Sequence, residues 1–524
     1  MKHTFKKVIL IILDGFGLAP ASNVNPITIA GMPFLNSLVA KYPSFNITAS
    51  GLVVGLPWGK PGNSEVGHSA IGTGRVIIQD WARINSDIKS GAFYKNKAFK
   101  DAVAHVKKHD SRLHFVGCTS PGGIHAHEDH AIALFELAAR EGIEKSYLHM
   151  ITDGEDAAPT ESLATLQRLH PALLKSKGRV ASVIGRMYGM DRVLNWELTK
   201  KAWDAMVHGV GKAVFDPSFY MSDMHQNKIF DDQLSPAVVV HEKTPIATIS
   251  DNDAVIFFNY RNDRAKQMVT PFVTPDFKDF DRGVVPKNLF VTTMTRYSSN
   301  ITVDAVAYEA PDIHKTLGKE ISRRDLKQFR VAEKEKEAHI NNFFNGGRID
   351  PYDGTEQVIV SSRQLKGKEY LEHPEMSAKQ IAKELTDRLD KNFTFYLVNF
   401  ANSDMMAHTG DIGATVEGLN VIDACLRDIA KEVLKQKDSV LVITCDHGNG
   451  EELIDPATGG PDTQHSSNSV VALFAGDGLE DESQKSLDVL AGEQPAGSLI
   501  DIAPTVLHLL EFEKPKEMTG ASLL

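Results

Sequence analysis

Residues of metal-binding or nucleophilic type lie in short patches far apart along the chain, and three patches follow apolar runs. These residues are Asp14, Ser64, Asp404, His408, Asp446, His447 and His465. The runs at 8–13, 393–398 and 440–444 have the composition of strands buried on both faces of a parallel sheet. Because ligands bind beyond the carboxyl ends of such strands, we expect the polar side chains to meet at one sheet edge.

The types and spacing of these residues predict the chemistry of the site. Carboxylates and imidazoles without thiolates suit Mn²⁺ or Zn²⁺ better than Ca²⁺. Asp404 and His408 are four positions apart, so one helical turn can direct both at one ion. Two ions can hold the attacking and leaving oxygens of a phosphoryl group, and an ion can activate the Ser64 hydroxyl as a nucleophile. Each residue alone would be a helix cap or an ordinary polar residue, but the set predicts a two-metal site.

A second group of residues has the chemistry of anion binding. Arg186 and Arg192 follow one apolar run, and Arg261 and Arg264 follow another. Guanidinium groups bind phosphate and carboxylate through paired hydrogen bonds and keep their charge. An isolated Arg usually forms a surface salt bridge, but four after two strands of one region favour an anionic substrate.

Composition limits the class of protein. A chain of 524 residues is long enough for more than one domain, and its net charge of −11 argues against nucleic acid as a partner. Three cysteines do not make a disulfide framework, which is typical of a reducing compartment. No apolar run approaches the ~20 residues of a membrane span, so we expect no membrane partner and a cytoplasmic protein. The basic start of the chain resembles a signal peptide, but Asp14 ends the apolar run early, so we interpret 8–13 as the first strand.

Short apolar runs alternate with helical patterns through the chain, which predicts an α/β protein. The candidate metal ligands lie before about 80 and after about 400, on either side of the arginine-bearing region. We therefore expect a discontinuous domain, 1–79 with 313–524, and a second domain, 83–307, inserted in it. The expected linkers are 77–84 and 306–314. By composition alone, the charged stretch 315–337 predicts a solvated helix with Lys336 as a surface lysine.

Several long strings resemble one known family. They are G-N-S-E-V-G-H at 62–68, S-V-I-G-R-M-Y-G-M-D-R at 182–192, F-N-Y-R-N-D-R at 258–264 and A-E-K-E-K-E-A-H at 332–339. These strings resemble the cofactor-independent phosphoglycerate mutases of the alkaline phosphatase superfamily, and the resemblance runs through nearly the whole chain. It implies a discontinuous alkaline-phosphatase-like α/β domain that binds metal, with a second, substrate-binding α/β domain inserted in it.

The resemblance also implies roles for individual residues. It implies that one metal ion is bound by Asp404, His408 and His465, and the other by Asp14, Ser64, Asp446 and His447. It also implies that Lys336 stabilises the phosphoryl group and that the substrate is bound by His125, Asp156, Arg186, Arg192, Arg261 and Arg264.

The implied activity is that of an isomerase of glycolysis and gluconeogenesis, which interconverts 3-phosphoglycerate and 2-phosphoglycerate through a phosphoserine at Ser64. Asp156 is our candidate for the acid/base that exchanges protons with the glycerate hydroxyls. The implied cofactors are two divalent ions, with Mn²⁺ preferred over Zn²⁺, Co²⁺ or Mg²⁺, and no 2,3-bisphosphoglycerate. The implied partner is a small-molecule substrate, and we expect a monomer.

The sequence departs from the family at position 155, where Glu stands in place of an Arg that contacts substrate. We expect Glu155 to turn away from the substrate or to be neutralised by a cation such as Arg186 or Arg192. Three other functions stay open. A metal-dependent phosphohydrolase would use the same ligands with water as acceptor, a phosphopentomutase would lack the matching middle domain, and a non-catalytic scaffold would have lost metal ligands.

Overall fold

The structure is a computed structural model that describes residues 5–298, 300–311, 313–361, 369–455, 458–481 and 484–524. The chain divides into two compact units, Met1–Gln79 with Asp312–Leu524 (unit 1) and Asp80–Pro311 (unit 2). The expected linker 77–84 spans the first division. The linker 306–314 spans the second, although its residue 312 lies outside the described residues.

The strands are, in chain order, β1 (Lys7–Leu13), β2 (Ser44–Thr48), β3 (Leu113–Cys118), β4 (Ser146–Thr152), β5 (Arg179–Gly185), β6 (Lys212–Val214), β7 (Ala237–His241), β8 (Thr244–Pro245), β9 (Ala254–Phe257), β10 (Phe290–Thr295), β11 (Ala305–Tyr308), β12 (Gln328–Glu333), β13 (Thr355–Val360), β14 (Phe395–Phe400), β15 (Ser439–Thr444), β16 (Val470–Gly476) and β17 (Gly497–Ser498).

The α-helices are α1 (Pro26–Ala30), α2 (Pro33–Val39), α3 (Ser64–Thr73), α4 (Asp80–Ser90), α5 (Lys97–His109), α6 (Glu128–Arg140), α7 (Ser162–Ser176), α8 (Arg186–Gly189), α9 (Trp196–Trp203), α10 (Pro217–Gln226), α11 (Ala265–Val273), α12 (Leu317–Ser322), α13 (Glu369–Glu372), α14 (Ala378–Thr386), α15 (Asn402–Ala407), α16 (Ile412–Val433), α17 (Leu487–Gly492) and α18 (Ile502–Leu509). Short 3₁₀ segments lie at Gly51–Val54, Phe93–Lys95, Asp231–Gln233, Lys334–Lys336 and Leu499–Asp501, and π-helical turns at Asp204–His208 and His339–Phe343.

The sheet of unit 1 has the order β13-β12-β14-β1-β15-β16-β2-β17 among the described residues. Strands β13, β12, β14, β1 and β15 are parallel, and β16 runs antiparallel to both of its neighbours. β1 lies at the centre and is buried from its second residue to its last, as its continuous apolar run predicts. The carboxyl ends of four adjacent strands, β12, β14, β1 and β15, therefore meet at one edge.

The sheet of unit 2 has the order β11-β10-β9-β3-β4-β5-β7-β6, with β8 paired to β7, in the part of the chain that the structure describes. Strands β9, β3, β4 and β5 are adjacent and parallel, so their carboxyl ends also share an edge. Each unit has a large hydrophobic core of its own. The α/β class predicted from the sequence is confirmed, with one sheet and one main core per unit.

The expectation of a solvated helix over 315–337 is wrong. The stretch contains the short helix α12 and then β12, whose six residues are all buried. Arg330 is accommodated in the interior because its guanidinium donates to Ile340 O, Gln328 Oε1 and Asn345 Oδ1. The charged composition of this stretch does not reveal the strand, because a charged side chain can be buried when hydrogen bonds compensate for the loss of water.

None of the helices in the described residues is both long and apolar enough to cross a membrane.

Candidate functional site

The shared edge of β12, β14, β1 and β15 carries the candidate metal ligands of unit 1. Asp14 follows β1 directly, and Asp446 with His447 follows β15 after one residue. Asp404 lies in α15 just beyond β14, and His408 caps the end of that helix, so one turn carries both. His465 belongs to the loop between β15 and β16.

Ser64 is the first residue of the ten-residue helix α3, whose cap is Asn63. Its hydroxyl oxygen lies 3.1 Å from Asp14 Oδ1, 3.0 Å from His447 Nε2 and 3.0 Å from Lys336 Nζ. The start of a helix presents free backbone N–H groups and the positive end of the helix dipole, which favour a phosphate at Ser64.

Three histidines have their rings fixed by backbone carbonyl groups. Nδ1 lies 2.9 Å from Thr463 O in His408, 2.9 Å from Gly62 O in His465 and 3.2 Å from Gly448 O in His447. Since a carbonyl oxygen only accepts, each Nδ1 carries hydrogen, and in the neutral ring Nε2 is left as a lone-pair donor. This orientation by a second partner is typical of histidines that bind metal.

The Nε2 atoms point at the carboxylates. His408 Nε2 and His465 Nε2 lie 3.2 Å apart and lie 3.3 and 3.4 Å from Asp404 Oδ1. His447 Nε2 lies 3.6 Å from both Asp14 Oδ1 and Asp446 Oδ2. Two groups, Asp404–His408–His465 and Asp14–Asp446–His447, thus each have their ligand atoms within 4.8 Å of one another.

Lys336 is a buried cation at this edge, not the surface lysine that composition predicts. It is 4% exposed, and its ammonium lies 2.5 Å from Asp14 Oδ1 and 2.8 Å from Asp404 Oδ2. Burial favours the neutral acids, but the ammonium and the neighbouring histidines lower the pKa of both carboxyl groups below their usual range. Burial likewise opposes charge on His447, but Asp446, Asp14 and Asp404 raise its pKa to about 10.

These features fit divalent cations. Asp14, Asp404 and Asp446 are three buried carboxylates, and Lys336 with protonated His447 supplies two positive charges, so the interior keeps an excess of negative charge that a bound cation would neutralise. Asp446 Oδ2 is buried and accepts no hydrogen bond, since His68 Nδ1, 3.1 Å away, donates to Ser64 O instead. Oxygen and nitrogen ligands without sulfur suit Mn²⁺ and divalent ions of similar hardness.

Unit 2 has its own cluster at the carboxyl ends of β3, β4, β5 and β9. His125 lies in the loop after β3, Asp156 lies after β4, and Arg186 begins α8 directly after β5. Arg261 and Arg264 follow β9, while Arg192 lies beyond α8. The structure thus brings the predicted anion-binding residues to one edge of this sheet.

Carboxylates accompany every arginine of this cluster. Arg186 is 2% exposed and pairs with Asp153 Oδ1 at 2.6 Å and Asp156 Oδ2 at 2.5 Å. Asp263 lies 3.3 Å from both Arg192 and Arg261, and its Oδ1 lies 3.2 Å from His125 Nδ1. Burial lowers the pKa of His125 to about 4, although Asp263 opposes the shift, so the imidazole is neutral at pH 7.

Glu155 joins the same cluster. Its Oε2 lies 3.1 Å from Arg186 Nη2 and 3.5 Å from Arg264 Nη2. Arg186, one of the two cations expected to neutralise Glu155, therefore pairs with it. The second partner is Arg264 and not Arg192.

Sequence reasoning missed several residues that hold the ligands. Asn399 Nδ2 donates to Asp14 Oδ2 at 2.7 Å, and Asn449 Nδ2 donates to Asp404 Oδ1 at 2.8 Å. Asn399 lies inside a buried strand, and Asn449 lies two positions after His447. A polar amide at either position is a sequence signal for a residue that contacts the site. No pattern in the sequence indicates that the carboxylate of Glu451 is buried beside the loops that carry these ligands.

Comparison with known proteins identifies the family. Residues 84–299 match the family model described as the BPG-independent PGAM N-terminus. Proteins named 2,3-bisphosphoglycerate-independent phosphoglycerate mutase are 41% identical in Clostridium perfringens and 38% identical in Acetivibrio thermocellus, each over 99% of both chains. A Methanosarcina barkeri protein of that name, numbered 1, is 39% identical over 100% of this chain and 99% of its own.

Among solved structures, a phosphoglycerate mutase from Leishmania mexicana, studied at low cobalt concentration, covers 99% of this chain and 98% of its own. Its TM-score is 0.70 at 28% sequence identity. Relatives of such identity that are matched over their full length settle the family. The chain belongs to the 2,3-bisphosphoglycerate-independent phosphoglycerate mutases.

Proposed function

We propose that the protein is an isomerase that interconverts 3-phosphoglycerate and 2-phosphoglycerate through a phosphoserine at Ser64, without 2,3-bisphosphoglycerate. The observation that carries the proposal is the set of three histidines whose Nδ1–H groups are held by backbone carbonyl groups and whose Nε2 atoms face Asp14, Asp404 and Asp446 around Ser64. Family membership supplies the substrate.

The residues would hold two divalent ions, one at Asp404, His408 and His465 and the other at Asp14, Ser64, Asp446 and His447. When bound, the ions would neutralise the phosphoryl oxygens and favour the ionised form of the serine hydroxyl. Mn²⁺ is our first candidate, with Zn²⁺, Co²⁺ and Mg²⁺ as alternatives.

The chain's own residues account for the group transfer. Ser64 Oγ loses its proton and attacks the phosphorus of 3-phosphoglycerate, the bond between phosphorus and the 3-oxygen breaks, and glycerate, with a proton on its 3-oxygen, stays bound and reorients under the arginines. The 2-hydroxyl then loses its proton and attacks the phosphoserine, the bond between phosphorus and Ser64 Oγ breaks, and 2-phosphoglycerate leaves as Ser64 Oγ regains a proton. Lys336, which lies 3.0 Å from Ser64 Oγ, would stabilise the negative charge that develops on the transferred group.

The arginine cluster of unit 2 is proposed to bind the carboxylate and hydroxyl groups of the substrate. Arg186, Arg192, Arg261 and Arg264 supply the charge, and neutral His125 supplies a hydrogen bond. Asp156 is the proposed acid/base for the two glycerate hydroxyls. The proposal includes a monomer that acts in the cytoplasm on a small-molecule substrate.

The test is incubation of the purified protein with 3-phosphoglycerate, Mn²⁺ and no 2,3-bisphosphoglycerate, with both 2-phosphoglycerate and inorganic phosphate measured. We expect 2-phosphoglycerate to reach equilibrium with little phosphate released, and excess EDTA to abolish turnover. His465→Gln should lose activity, whereas the matched variant of an exposed histidine bonded to Ser522, His508→Gln, should retain it. Release of phosphate alone would show a phosphohydrolase instead, and full activity in EDTA would refute the metal centre.

A further inference from the structure

Glu451 is a buried carboxylate of unit 1 that belongs to neither candidate metal group. It is 3% exposed, and each of its two oxygens accepts two hydrogen bonds. Oε2 accepts from Gly17 N at 2.9 Å and Asn449 N at 2.9 Å. Oε1 accepts from the Ser466 hydroxyl and from Asn468 Nδ2 at 3.0 Å.

The four donors come from two loops that carry candidate metal ligands, the loop after β1 and the loop between β15 and β16, and Glu451 itself belongs to the second. Gly17 lies three positions after Asp14, Asn449 lies two positions after His447, and Ser466 follows His465 directly. Asn449 reaches further, since its side chain donates to Asp404. One carboxylate thus connects the loops of both ligand groups.

The backbone is shaped to let Glu451 approach. A Cβ atom on Gly17 would lie 2.3 Å from the carboxyl carbon of Glu451, and one on Gly448 would lie 2.5 Å from Oε1. Real Cβ contacts are not this short, so both glycines are required where they pass the carboxylate. No Lys or Arg pairs with Glu451 within the described residues, so the four hydrogen bonds alone compensate for its burial.

We infer that Glu451 is the positioning residue that fixes the loop after β1 and the two ligand-bearing ends of the β15–β16 loop relative to one another, and thereby sets the metal affinity of the site. The inference rests on the proposed two-metal centre. Partners beyond the ligands commonly change metal affinity by about 10- to 100-fold, because they orient the ligand atoms before the ion arrives. A carboxylate that accepts four hydrogen bonds has no equivalent in an amide, which has one accepting oxygen.

The test is an electron paramagnetic resonance titration of the full-length, metal-stripped protein with Mn²⁺, together with its thermal unfolding. We expect Glu451→Gln to weaken Mn²⁺ binding by about 10-fold. Glu451→Asp keeps the charge but is one methylene shorter, so it should weaken binding as well. This variant separates positioning from simple attraction between charges.

Asp423→Asn is the matched control. Asp423 is a buried carboxylate of α16 in the same unit, which accepts from Phe34 N and Leu35 N at 2.9 Å at the start of α2. We expect its replacement to lower the unfolding temperature without changing Mn²⁺ affinity. Unchanged Mn²⁺ affinity in both Glu451 variants, or equal weakening in Asp423→Asn, would overturn the role of Glu451. Failure of the unaltered protein to bind Mn²⁺ would instead overturn the metal centre itself, and the two failures are therefore distinguishable.

Discussion

Glu155 provides the sharpest test of how unit 2 binds an anion. The arginine cluster has four guanidinium groups, and Asp153, Glu155, Asp156 and Asp263 balance them with four carboxylates. Glu155 is already paired with Arg186 and Arg264. A phosphoglycerate anion that binds here must therefore displace the Glu155 carboxylate or bind against its electrostatic repulsion. Glu155→Gln removes this competitor and gives the cluster a net charge of about +1 by the same count.

The size of the effect follows from the geometry. Two unit charges about 4 Å apart interact by about 4 kcal/mol at an effective dielectric of 20 and by about 1 kcal/mol in water. Glu155 is 48% exposed, so we place the repulsion near the lower end, at about 1–2 kcal/mol. Since 1.4 kcal/mol corresponds to a factor of about 10, KM for 3-phosphoglycerate should fall by about 5- to 30-fold in Glu155→Gln.

The assay is the initial rate of 2-phosphoglycerate formation over a range of substrate concentrations. We expect kcat to stay within about a factor of 2, because Ser64 and the candidate metal ligands belong to unit 1 and are untouched. The control is Glu161→Gln, which breaks a 2.5 Å pair with Arg168 in the same unit and should leave KM unchanged. A KM that rises more than about 5-fold in Glu155→Gln would refute the reasoning, because Glu155 would then be a positive recognition element for a different substrate.

Two further perturbations test the buried charges of unit 1. Glu333 is 1% exposed, and burial raises its pKa from 4.5 to about 7, so its contribution to stability is complete below pH 4.5 and is lost as the pH rises through 7. The unfolding free energy of the unaltered protein relative to Glu333→Gln, measured by urea denaturation, should therefore fall by about 3 kcal/mol between pH 4 and pH 8. A difference that does not vary with pH would contradict this. Lys336→Met leaves Asp14 and Asp404 without their ammonium partner and should destabilise the metal-stripped protein by about 3–5 kcal/mol, with partial recovery on addition of Mn²⁺. An unchanged unfolding temperature without metal would show that the carboxylates are otherwise satisfied.

The sequence predicts the parts of the site that depend on strand ends. Asp14 and Asp446 follow continuous apolar runs, and buried parallel strands carry such residues to a common edge, so their proximity follows from the pattern. The four-residue spacing of Asp404 and His408 likewise predicts the shared helical turn observed in α15 and its cap. Long family strings supplied Lys336, which composition places at the surface.

The remaining features depend on contacts between residues distant in sequence. Glu451 meets Gly17 across 434 positions, and nothing local to either residue indicates the contact. The pairing of Glu155 with Arg264 joins two strand ends 109 positions apart and depends on side-chain conformation. The composition of β12 predicts solvated structure because Arg330 donates its hydrogen bonds to Ile340 O and Asn345 Oδ1, and no pattern in the strand itself reveals these acceptors.

Ser64 is proposed to carry the phosphoryl group between the two positions of glycerate. The most direct measurement is mass spectrometry of peptides from protein that was mixed with 3-phosphoglycerate and Mn²⁺ and quenched during turnover. Ser69 provides the control, since it lies in the same helix and its hydroxyl donates to Phe343 O away from the ligands. We expect phosphate on Ser64 in the unaltered protein and in Ser69→Ala, and neither phosphate nor turnover in Ser64→Ala. Undiminished interconversion of the two phosphoglycerates by a folded Ser64→Ala protein would contradict it.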